Sequence, residues 1–127
     1  MIEQVEWSLL TEHFEAAAVL NKPLRYFEYD RQIRFTMALD GLDYYKAALL
    51  AGSKPGWIAV LKQYRGNNPD HTSIYLNPAI GDLSIIHGIV SEVVTGLGLT
   101  ESDVIWRRDA IDERVVEAAR QYYAKPA

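Results

Sequence analysis

Residues 33–39, Ile33-Arg34-Phe35-Thr36-Met37-Ala38-Leu39, alternate without a break. Ile33, Phe35, Met37 and Leu39 fall on one side of an extended chain, and Arg34, Thr36 and Ala38 on the other. No helix tolerates that period, so this stretch commits the middle of the chain to a half-buried strand. Asp40-Gly41 follows directly, a strong signal for a two-residue hairpin turn. Such a turn pairs Leu42 with Leu39 and Tyr44 with Met37, and leaves Asp43 and Tyr45 on the outer side.

The neighbouring segments extend this sheet. Lys46-Ala47-Ala48-Leu49-Leu50-Ala51 has a helix-favouring composition, with Gly52 as a stop. On a helix, however, Lys46 would fall between Leu42 and Leu50, so 42–51 reads better as strand. Ser53-Lys54-Pro55-Gly56 is a turn, and 57–65 is a strand with an apolar start and a polar end. Gly66-Asn67-Asn68-Pro69-Asp70-His71 is a second turn, and the strand over 72–77 ends at Pro78. Residues 24–29 are aromatic and extended in character. The middle is an antiparallel meander of three to five strands.

Helical periods flank it. Ile2, Val5, Leu9, Ala16 and Leu20 share one side of a helix predicted over 2–20, stopped by Asn21 and Pro23. Gly81 opens a second helix with Asp82 as its N-cap. Its apolar side is Leu83, Ile86, Ile89, Val90, Val93, Val94 and Leu97, and Gly96 and Gly98 end it. The opposite side is small rather than charged, with Ser84, Gly88, Ser91 and Thr95. Val104-Ile105-Trp106 reads as a short strand, and a last helix over 109–124 takes Asp109 as its cap. The expected fold is α+β: one domain over 1–127, with an N-terminal helix, an antiparallel meander, then helix-strand-helix packed on one face of the sheet.

Charge is sorted along this order. Residues 1–21 hold four acids and no Lys or Arg, 22–65 hold eight bases against four acids, and 66–127 hold nine acids against five bases. A basic sheet therefore lies between acidic helices, and its exposed face suits an anionic contact. The overall charge of −4 argues against a nucleic-acid partner, and no aromatic-glycine RNA-binding motif occurs. With no Cys, a disulfide framework, a thiolate zinc site and a cysteine nucleophile are excluded, and a reducing cytoplasm is the expected location. The acidic N-terminal residues lack the apolar run of a signal peptide, and no stretch is apolar enough to span a membrane.

The best candidate surface is the outer side of the meander, with Arg34, Tyr45, Lys62 and Tyr64, where Tyr rings and basic groups would meet an acidic protein partner. The alternative is a solvated sheet face whose basic stems cover the rings. Ser84, Gly88, Ser91 and Thr95 let a second backbone approach closely, as in a symmetric homo-oligomer, or pack against the chain's own helices. Asp70-His71 pairs an acid with an imidazole and is the one candidate for proton transfer. Adjacent turn residues usually point apart, which weighs against it. His13 lies on the predicted first helix's apolar side, and His87 on the border of the small face, with no second histidine at ligand spacing. Arg107-Arg108 can pair with Asp109, Asp112 and Glu113, or hold an anion. No cofactor or metal motif is present. The function these features suggest is a small binding or regulatory protein that self-associates. The other class they leave open is a ligand pocket or small enzyme site between sheet and helices, lined by Tyr and Trp, with Asp70 or His71 at its mouth.

Overall fold

The computed structural model describes residues 13–27, 38–39, 46–51, 57–63 and 68–124. Among these, six strands form one antiparallel sheet: β1 (Glu15–Leu20), β2 (Ala38–Leu39), β3 (Lys46–Ala51), β4 (Ile58–Gln63), β5 (Thr72–Leu76) and β6 (Val104–Arg107), in the order β2-β3-β4-β5-β1-β6. Two helices follow the meander, α1 (Leu83–Gly96) and α2 (Glu113–Ala124). The α+β class is as expected, but the first element is not. Residues 15–20, predicted as the end of a helix, are a strand inserted between β5 and β6. The rest of that predicted helix, 2–12, lies outside the described residues.

The helix reading failed because three consecutive alanines favour helix and hide a two-residue period. Ala16 lies opposite Tyr75 and Ala18 opposite Ile74, so the strand carries an extra residue at Ala17. That bulge breaks the alternation a sequence pattern would show.

The meander is present with one change of register. Lys46–Ala51 is strand, as expected, and pairs with β4 over its whole length. Leu39, however, lies opposite Ala47 rather than Leu42, and Ala38 opposite Ala48. The expected Leu39–Leu42 pairing across Asp40-Gly41 is therefore not made; residues 40–45 lie outside the described residues. Long-range pairing of β3 along six residues of β4 outweighs a local turn preference. Residues 24–27, expected to be extended, form a 3-10 turn, with the Tyr26 amide donating to the Pro23 carbonyl at 3.0 Å.

One sheet face carries the core. Ala18, Leu20, Leu61, Ile74 and Leu76 point from β1, β4 and β5 into a cluster with Ile86, Ile89, Val90, Val93 and Val94 of α1. These are the α1 residues that the helical period assigned to the apolar side. Asp82 caps α1 as expected, its carboxylate accepting from the Ser84 and Ile85 amides at 2.9 and 3.2 Å. At the other end Gly98 takes φ +73°, a left-handed conformation, and the Leu99 amide donates back to the Val94 carbonyl. The Trp57 indole donates to Glu92 at 2.9 Å and ties the start of β4 to α1.

The helix-strand-helix order is present, and α1 packs on the sheet as expected. β6 joins the sheet at its edge, and α2 packs on the 3-10 turn Pro78–Ile80. The cap of α2 is Asp112, not Asp109: its carboxylate accepts from the Arg114 amide at 3.0 Å. Sequence favoured the first acid of the group, but residues 109–112 are not helical.

Both caps link ionisation to folding. Hydrogen bonds from the Ser84 hydroxyl and the Ile85 amide hold the Asp82 carboxyl below the usual carboxylate range. Bonds from the Arg114 side chain and amide do the same for Asp112. A folded-state pKa below the unfolded one stabilises the fold above the unfolded value and is lost as pH falls through the folded one. Denaturant titrations of Asp82→Asn at neutral and acid pH are expected to show a shallower acid loss than the parent. An unchanged slope would detach this cap from the acid response.

Candidate binding face and groove

The face of the sheet opposite α1 can be read off the pairing. Lys62 lies opposite Ser73, Ser73 opposite Val19, and Val19 opposite Trp106. The next row runs from Val60 through Tyr75 to Ala16. Lys62 and Tyr75 are diagonal neighbours, and the Lys62 ammonium sits 4.7 Å from the centre of the Tyr75 ring. Cation–ring contacts of this kind contribute about 0.5–1 kcal/mol at exposed sites. Both side chains are half-buried, whereas Val60 is fully buried, so only part of this face meets solvent.

Of the expected surface, Lys62 is therefore on the outer side as predicted, while Arg34, Tyr45 and Tyr64 lie outside the described residues. Trp106 belongs to the same row, at its open end, and is 44% exposed. Sequence reasoning recognised its strand but did not place it in the sheet. That placement depends on β1, which was read as helix.

The second candidate face also reaches solvent. Ser84, Gly88 and Thr95 are exposed and Ser91 is half-buried. A methyl group added at Gly88 would meet nothing within 4 Å. This side of α1 is not packed against α2.

Asp70 and His71 sit at the β4–β5 turn. The Asn68 side chain accepts from the Asp70 amide at 2.9 Å, and the Asn68 carbonyl accepts from the His71 amide at 3.2 Å. Gln63, itself buried, donates to the Pro69 carbonyl and to the His71 carbonyl. Each of these bonds joins a backbone group of residues 68–71, the chemistry of an Asn-initiated loop.

A groove of about 630 Å³ opens instead beside α2, lined by His13, Glu15, Pro78, Asp112, Arg114 and Tyr122 among others. His13 is exposed in a turn before β1 rather than on a helix, with its ring 4.2 Å from that of Tyr122 in an edge-on contact. Neither Asp70 nor His71 lines this groove. Beyond the groove, Arg108 is fastened to β1. Its amide donates to the Ala17 carbonyl and its side chain to the Ala16 carbonyl, both at 2.8 Å, and it lies 3.6 Å from the Glu15 carboxylate. Arg107 pairs with Glu101. The two arginines thus bind acids other than the Asp109, Asp112 and Glu113 expected from sequence. His87 Nε2 donates to the Arg108 carbonyl at 2.7 Å, which ties α1 to the same segment.

Among the described residues, no group of three or more His, Asp or Glu could hold a metal ion, and no helix is long and apolar enough to cross a membrane. Compared with known proteins, the chain matches no family model, no curated protein and no solved structure.

Proposed function

We propose that this chain is a small binding protein of regulatory or adaptor type, acting through protein–protein contacts. The outer sheet face around Lys62 and Tyr75 would receive an acidic partner, and the protein would also self-associate. The observation that carries this reading is the Lys62 ammonium held over the Tyr75 ring on the side opposite α1. A charge stacked on an aromatic surface, half open to solvent, offers an acidic side chain both an ion pair and flat apolar area. Arg34, Tyr45 and Tyr64 extend the same surface in the sequence reading. The cysteine-free composition suits a reducing cytosol, the location this reading assigns.

Affinity capture from host extract tests it. Wild-type protein is expected to retain a partner that Lys62→Glu loses, with both proteins unfolding at similar denaturant. Lys62→Arg keeps the charge and is expected to retain most binding. If Lys62→Glu still holds every captured partner, the face is not the binding site.

A second reading, a small-ligand site, has the groove beside α2 in its favour. A ligand seated there would raise the melting temperature by linkage, and Tyr122→Ala would remove that rise. A ligand whose effect survives Tyr122→Ala binds elsewhere.

A further inference from the structure

Ile105 and Trp106, two of the large apolar side chains most open to solvent, are neighbours on β6, 48% and 44% exposed. β6 is the last strand of the sheet. One side pairs with β1, and the other meets no strand among the described residues. The inward side is satisfied: the Arg108 amide donates to the Ala17 carbonyl, and the Asp103 carbonyl accepts from the Asn21 amide at 2.7 Å. Edge strands are commonly protected by charged side chains or Pro, and β6 has no Pro and a single charge, Arg107, at its end. A bulge does interrupt the register here: Val19 pairs with Trp106 but Leu20 with Val104, so Ile105 has no opposite residue in β1. A bulge of this kind protects the backbone edge while leaving the side chain outside.

The charges around the strand are ordered. Glu101 and Asp103 precede it, and Arg107 and Arg108 end it. The Glu101 side chain is 67% exposed and that of Arg107 26%. A segment with an acidic start, an apolar centre and a basic end complements a copy of itself in one orientation only. Antiparallel copies put the acids of each beside the bases of the other and bring the apolar centres together. Parallel copies set like charges side by side. A twofold axis supplies the antiparallel arrangement, because it presents one patch to itself.

We propose that two copies of this chain associate antiparallel through β6, with Ile105 and Trp106 at the centre and the Glu101–Asp103 end of each copy beside Arg107 of the other. The contact is made by side chains, since the bulge interrupts the backbone edge. The Glu101–Arg107 ion pair within each copy becomes part of a four-charge cluster across the axis. This assigns the self-association included in the proposed function to β6. It does not depend on the acidic partner or on Lys62.

Sedimentation equilibrium and native mass spectrometry of the full chain test the proposal over a range of protein and salt concentrations. The wild type is expected to be a dimer that weakens as salt rises, because the flanking pairs are screened. Ile105→Lys and Trp106→Ser are each expected to weaken the dimer at least about tenfold, a change of about 1.4 kcal/mol in association free energy. Both sites are surface positions, and circular dichroism of each variant checks that it remains folded. Gly88→Lys, on the small face of α1, is expected to leave the dimer intact, and so is Lys62→Glu. A wild type that stays monomeric at its highest soluble concentration overturns the proposal. So does a dimer that survives both β6 variants, or one that Gly88→Lys dissociates while Ile105→Lys does not.

Discussion

Gly81→Val is expected to be among the most destabilising single substitutions in this protein. Two independent penalties meet at one residue. Gly81 has φ +61° and ends the 3-10 turn Pro78–Ile80, its amide donating to the Pro78 carbonyl at 3.1 Å. An L residue in that left-handed conformation costs about 1–2 kcal/mol. The site is also closed: a methyl group there would lie 2.9 Å from the Arg120 guanidinium and 2.9 Å from a Val116 methyl. Arg120 can swing away, because it is exposed and gives up only its bond to the Ala79 carbonyl at 3.2 Å. Val116 cannot, because it is one of the two buried residues that seat α2. Overpacking at such a point costs about a further 1–3 kcal/mol. Urea titration should therefore show a loss of about 2–5 kcal/mol for Gly81→Val, a large share of a stability of about 5–15 kcal/mol. Gly81→Ala should lose less, and adding Arg120→Ala should recover only the part due to the guanidinium. If Gly81→Val unfolds at the same urea concentration as the parent, α2 is not seated on this turn.

Leu20→Ala is the second large effect, and it bears on the element that sequence misread. Leu20 is fully buried in the cluster beneath α1, whereas its neighbour Val19 is half-buried on the other face. Truncating a buried Leu costs about 2–5 kcal/mol, with the cavity adding to the lost transfer energy. Val19→Ala should cost much less, about 1 kcal/mol or below. The contrast between adjacent residues is the mark of a strand. On the predicted helix, Leu20 would share its face with Ala16, and Ala16→Gly would then be costly for the core. In the sheet Ala16 belongs to the outer row with Tyr75. Comparable losses from Leu20→Ala and Val19→Ala would contradict the strand.

What could be read from sequence follows how local each signal is. α1 was legible almost residue by residue, because fourteen residues repeat one period and Asp82 caps them through amides two and three positions away. Pro78 ended β5 for an equally local reason. β1 was not legible, because alanine marks neither face and the bulge at Ala17 shifts the phase midway. The hairpin register was missed since the pairing partner of β3 on its other side lies in β4, beyond the reach of the Asp40-Gly41 signal. The cap of α2 was misplaced by three residues within a run that offers Asp109 and Asp112 as equal candidates.

The candidate sites divide in the same way. Lys62 was assigned to the outer side from the meander reading of 57–65. Its stack on Tyr75 depends on the register between β4 and β5, which the strand assignments leave open. Trp106 joins them only through β1, so an error in the first element hid the far end of the row. The acid-before, base-after pattern around residues 104–106 was visible in the chain, but it acquires meaning only once that strand is known to be an edge. Arg108 is likewise explained by contacts with residues ninety positions away, which no spacing rule would find.

The row that joins Lys62, Ser73, Val19 and Trp106 rests on β1 pairing with β5, and one measurement tests that pairing directly. The chain has no cysteine, so a double variant reports a single disulfide without background. Val19→Cys with Ser73→Cys places two thiols on directly opposed residues of an antiparallel pair, a separation a disulfide can span. Val19→Cys with Ile74→Cys places them on opposite faces of the sheet. After mild oxidation, intact-mass analysis of the monomer should show the loss of two hydrogens for the Val19–Ser73 pair and not for the Val19–Ile74 pair. If the first pair stays reduced while the protein is folded, or both pairs close equally, β1 does not occupy the place between β5 and β6.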